Sequence, residues 1–141
     1  MRRLYLAAAL LCACSSPREP EERPAARWVR EVRQLHARAD REAPAPASRE
    51  LAAFAERSTP PDVFARDVIE TRQDLFARAA QLALAAGEAD RALALAEQGS
   101  RLAGEGPFHT QLLILISRAK TALGDLTGAA EATQAARASL R

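Results

Sequence analysis

Few side chains in this chain can do nucleophilic, redox or metal chemistry: two cysteines, Cys12 and Cys14, and two histidines, His36 and His109. Metal sites on helices place their second ligand three or four residues on, so that both share a face. Neither histidine has a second imidazole or thiol at that spacing, and no metal site is expected. Glu70 and Asp74 stand four apart and could act as a carboxylate pair, but Arg66, Arg72 and Arg78 beside them read as surface ion-pair patterning. There is no G-x-S-x-G elbow, no glycine-rich phosphate loop and no Cys/His nucleophile pair. The residue types thus argue against an enzyme and imply no cofactor.

Both cysteines fall within the first fourteen residues. Arg2 and Arg3 precede an apolar run from Leu4 to about Cys12, the layout of an export signal, and the run is shorter than the roughly 20 apolar residues that span a bilayer. It ends in Leu11-Cys12-Ala13-Cys14. That tetrad resembles the lipobox of bacterial lipoproteins, in which an aliphatic residue, a tolerant position and a small residue precede an obligatory cysteine. The resemblance implies cleavage after Ala13, a diacylglycerol on the Cys14 sulfur and acylation of the new amino group, the two-signal anchor that holds a protein stably on a membrane. Ser15 follows the cysteine where Asp would favour inner-membrane retention in the enterobacterial pattern, so the expected address is the outer membrane, facing the periplasm. Cys12 leaves with the signal and Cys14 becomes a thioether, which leaves the mature chain without a thiol.

Residues 15–24 read SSPREPEERP, with three prolines and alternating charge, and offer no apolar face to bury. They are expected to form a tether reaching at most about 35 Å. Residues 25–141 are expected to be one helical domain. The chain has 34 Ala against 4 Val and 3 Ile, with aromatics at 4%, a composition poor in the residues that strands favour. The 19 Arg and 1 Lys face 18 acidic residues, and a formal charge of +2 is too small to imply a nucleic-acid partner. Removal of residues 1–13 takes Arg2 and Arg3 with it, leaving 18 basic against 18 acidic side chains.

Apolar residues recur at helical steps along the domain. Trp28, Val32, Leu35 and Ala39 mark a first helix, ended by the prolines of the run 43–47. A short helix from Ser48 to about Arg57 has Ser48 as its N-cap and Leu51, Ala52 and Ala55 inward. Ser58-Thr59-Pro60-Pro61-Asp62 reads as the start of a long helix reaching Gly87, with one stripe through Phe64, Val68, Leu75, Ala79, Leu82 and Ala86 and a second through Ile69, Phe76, Ala80 and Ala83. The next helix, Ala89 to Ala103, carries Ala92, Ala96, Gly99 and Ala103 on one narrow face and is closed by Gly104-Glu105-Gly106-Pro107. Leu112-Leu113-Ile114-Leu115-Ile116 is apolar on every side and predicts a buried helix from Phe108 to Leu123, with a strand as the competing reading. A last helix follows from Leu126 to Leu140 with Leu126, Ala129, Ala130, Thr133 and Ala136 inward.

Gly87-Glu88-Ala89-Asp90-Arg91-Ala92 aligns with Gly124-Asp125-Leu126-Thr127-Gly128-Ala129, an offset of 37 residues. Each segment lies between an apolar helix and an Ala-rich one. This resembles a degenerate tetratricopeptide repeat over residues 73–141. Ala92 and Ala129 match the family's small residue in the second helix, Ala80 and Ser117 that of the first, and Phe76 and Leu113 its bulky residue. Ala83 and Lys120 replace the family's aromatic, and Gly104 and Arg141 its closing proline. Plain antiparallel helix hairpins are the alternative. The expected fold is therefore all-α, a short solenoid of five to six helices. Two repeats cannot bury both faces alone, so the N-terminal helices, a homodimer or a partner must cover the rest.

The resemblance implies a groove lined by the first helix of each pair: Asp74, Ala77, Gln81 and Leu84, then Gln111, Ile114, Arg118 and Thr121. Such a mixed surface suits an extended peptide or a partner helix. The expected function is that of a lipid-anchored scaffold or assembly factor for an envelope complex, with a passive structural lipoprotein as the alternative.

Overall fold

The computed structural model describes residues 22–102 and 107–140. Residues 1–21, which hold the expected export signal, Cys14 and most of the expected tether, residues 103–106 and Arg141 lie outside them. The described residues form six helices and no strand: α1 (Pro24–Ala39), α2 (Pro44–Ala55), α3 (Ala65–Ala85), α4 (Ala89–Ser100), α5 (Pro107–Ala122) and α6 (Leu126–Ala138). Each packs on the next in chain order, and α3 also packs on α5. None of these helices is long and apolar enough to cross a membrane.

The two turns aligned at 37 residues share one geometry. Gly87 and Gly124 have φ of +77° and +83°, a conformation that glycine adopts at least cost. After α3, the amides of Gly87 and Glu88 donate to the carbonyls of Leu84 (3.0 Å) and Ala83 (2.9 Å). After α5, those of Gly124 and Asp125 donate to Thr121 (3.1 Å) and Lys120 (2.9 Å). Both are Schellman closures, which satisfy the last carbonyls of a helix and reverse the chain. The following helices begin alike, with Ala92 donating to the Glu88 carbonyl and Ala129 to that of Asp125.

Small residues set the spacing of the core. Ala77, Ala79, Ala80, Ala83, Ala92, Ala96 and Ala119 have no exposed surface, and between them lie Leu35, Leu51, Leu75, Phe76 and Leu112. Gly99 marks the tightest approach: a methyl group there would lie 2.8 Å from Leu112 Cδ2 and 2.9 Å from Phe76 Cβ.

Several boundaries differ from those expected. Helix α2 starts at Pro44, not Ser48, because Pro44 and Pro46 both fall in the first turn, where no amide has an intrahelical acceptor to lose. Ser48 is consequently an interior residue without exposure, and its hydroxyl donates to the Ala79 carbonyl of α3. Helix α3 begins at Ala65, so residues 58–64 form the link before it and Phe64, placed ahead of the helix, is 80% exposed. Asp62 does cap a helix, but that helix is α1: its Oδ2 accepts the Ala25 amide at 3.2 Å. In α6 the buried residues are Gly128, Ala129, Ala132 and Ala136, whereas Leu126 and Ala130, expected inward, are exposed. The reason is that α6 rests chiefly on α5, and a single neighbour covers only a narrow stripe. Leu82 is half-buried, Ala86 and Leu123 lie in the caps and are exposed.

Candidate functional site

The sequence-derived groove residues separate into three settings. Asp74 projects from α3 toward α1, where its Oδ2 lies 3.1 Å from His36 Nε2. The two atoms are close but not aligned for a hydrogen bond, so the contact is electrostatic and depends on a protonated imidazole. Arg78, one turn on, donates to Asp40 at 2.7 Å. With Val32, Asp67, Glu70, Thr71 and Phe108 the pair lines a shallow cleft of about 260 Å³ to which α1, α3 and α5 all contribute. Its carboxylates are mostly spent, since Glu70 holds Arg66 at 2.8 Å. That hydrogen bond, followed by the charge of Glu70, raises the Arg66 pKa above its ordinary value. Among the described residues no group of three or more His, Cys, Asp or Glu side chains is placed to hold a metal.

Further along α3 the groove dissolves. Ala77 is wholly buried and so lines no surface, a correction to its expected place. Gln81 is exposed and accepts from Arg78, and Leu84 packs against the core. On α5, Gln111 is exposed, while the Thr121 hydroxyl turns back on its own helix to donate to the Ser117 carbonyl.

Ile114 and Arg118 alone of the set come together, and their neighbours are on α6 rather than α3. Thr110, Ile114, Ser117 and Arg118 stand at i, i+4, i+7 and i+8 on α5. Thr133, Ala136 and Arg137 of α6, with Leu140 in the turn beyond it, stand at i, i+3, i+4 and i+7. Two helical stripes run side by side and enclose a cleft of about 380 Å³, within the size range of ligand sites. Ile114 is 47% and Leu140 75% exposed, so the cleft presents apolar surface to solvent. The hydroxyls of the floor are already satisfied: Ser117 Oγ lies 2.8 Å from Thr133 Oγ1 and 2.9 Å from the Ala129 carbonyl oxygen, and Thr110 pairs with Ser139. Arg118 and Arg137 have no hydrogen-bond or ion-pair partner among the described residues.

Arg137 and Leu140 were not legible as site residues, because the sequence places them merely near the end of a helix. Their i, i+3 spacing on the line through Thr133 was the available signal. His109 is half-buried, with Nδ1 enclosed and without a hydrogen-bond partner among the described residues. No protein family, curated protein or solved structure gives a significant match to the chain.

Proposed function

We propose that this chain is an exported lipoprotein, held through Cys14 on a membrane, in the outer membrane's periplasmic leaflet, and that its helical domain is a non-enzymatic docking module for an envelope protein. The observation that carries the proposal is the order of the N-terminal residues: Arg2-Arg3, an apolar run, Leu11-Cys12-Ala13-Cys14, then nine polar and proline residues, 15–23, before the helices begin at Pro24. A lipidated Cys14 would hold the domain within about 35 Å of the lipid surface.

The helical half of the reading takes its support from the paired hairpins. Two Schellman turns 37 residues apart, small buried residues at Ala80 and Ala92 and a cleft shared by α1, α3 and α5 are features that a tetratricopeptide-like solenoid would have. In such an arrangement the odd-numbered helices offer one face to a partner.

Fractionation tests the anchor. The native chain should sediment with membranes and take up an alkyne-tagged fatty acid, and Cys14→Ala should abolish the labelling and release the domain into the soluble fraction. A Cys14→Ala chain that stays on membranes, or a native chain that takes up no label, would refute the anchor. Crosslinking in cells, followed by gentle solubilisation, tests the docking half: a discrete crosslinked envelope protein is expected, and its absence favours a passive structural lipoprotein.

A further inference from the structure

Every helix from α2 to α5 is packed on both sides along the chain, but among the described residues α6 packs chiefly on α5, and the cleft it forms with α5 is where a further helix would continue the packing. The two stripes bordering it have the spacing by which a helix seats its neighbour's side chains. Since the floor hydroxyls bond to one another and to the backbone, the floor makes no polar demand on an occupant. The polar groups left over are the guanidiniums of Arg118 and Arg137, one on each wall.

We propose that the α5–α6 cleft binds an acidic amphipathic helix of a partner protein, with its apolar side chains on Ile114, Ala136 and Leu140 and its carboxylates on Arg118 and Arg137. The inference rests on the docking-module reading above and names the chemistry of the partner. Charge selects this occupant over a second copy of the chain. Pairing two such clefts sets four guanidiniums face to face, and placing α1 of another copy in the cleft brings in the exposed Arg33 along with Arg27 and Arg30, which share the single carboxylate of Glu22. An anionic bilayer offers the right charge, but a flat surface does not fill a cleft between two helices. Carboxylates are the groups that a guanidinium fork holds best, and a helix delivers them at intervals of one turn.

The test uses the full chain in a non-ionic detergent and a fluorescein-labelled helical peptide of about five turns. Its Leu stripe follows i, i+3, i+4, i+7 and is flanked by Glu; a control peptide carries Lys in place of every Glu. Anisotropy should show saturable binding of the Glu peptide and much weaker binding of the Lys peptide. Arg118→Glu with Arg137→Glu should weaken the Glu peptide about tenfold or more and shift preference to the Lys peptide. Ile114→Ser, a milder change at the apolar floor, should weaken the Glu peptide with the charges intact, and circular dichroism confirms that each variant keeps its helices. The proposal is overturned if neither peptide saturates, if both bind equally, or if the double-Glu variant instead dissolves a dimer seen in sedimentation or releases the chain from anionic vesicles. Membrane fractionation of Cys14→Ala reads the anchor separately, so the loss of the cleft and the loss of the anchor are distinct outcomes.

Discussion

The hydroxyl of Ser48 donates to the backbone carbonyl of Ala79 at 2.8 Å, and neither residue has exposed surface. This bond joins α2 to α3 where their alanine faces meet. Ser48→Ala keeps the packing but removes the bond, while the Ala79 carbonyl, lying inside α3, retains its helical amide. The expected cost is about 1 kcal/mol of unfolding free energy by urea titration. No change would mean that the bond contributes nothing beyond what water supplies in the unfolded chain.

Gly99 and Leu112 should behave as a coupled pair. In an exposed helix, Gly→Ala stabilises by about 1 kcal/mol, but here the new methyl would press on Leu112 Cδ2 and Phe76 Cβ, and overpacking costs about 1–3 kcal/mol. Gly99→Ala should therefore lower stability. Leu112→Ala should lower it by about 2–5 kcal/mol through the cavity it leaves. Together the two changes should cost less than their sum, by roughly 1 kcal/mol, because the methyl enters the space that Leu112 vacates. Additivity in chemical denaturation would show that α4 and α5 are not in this close contact.

The matched turns differ in one respect that a pair of variants can isolate. Asp125 Oδ1 accepts the Gly128 amide at 2.9 Å as the N-cap of α6, whereas Glu88 makes no side-chain cap and instead pairs with Arg49 at 3.0 Å. Asp125→Ala should cost about 1 kcal/mol and speed amide exchange through α6. Glu88→Ala, which removes half-buried ion pairs to Arg49 and Arg91 but no cap, should leave amide exchange through α4 unchanged. Equal effects would contradict the capping assignment.

The features readable from the sequence are those that a few consecutive residues decide. Gly87 and Gly124 mark turns because a positive φ is a local steric matter, and the Leu112–Ile116 run is helical because its flanks are. The stripe Trp28, Leu35, Ala39 and the face Ala92, Ala96, Gly99 were legible for a similar reason, since periodicity states which side of a helix turns inward.

Periodicity does not state which helix will be met there, and that is what the tertiary structure decided. Asp62 has the chemistry of a cap and lies just ahead of α3, yet it serves α1, 37 residues away in sequence, because the chain folds back to bring the Ala25 amide within reach. Ser48 likewise exchanged a local cap for a carbonyl 31 residues distant. Ile114 and Arg118 read as part of a groove with α3, but they join Ala136, Arg137 and Leu140, because α6 lies beside that face of α5 and no seventh helix covers it among the described residues. A hydrogen bond or a cleft requires two groups at one place in space, and only the packing of the helices brings such distant residues together.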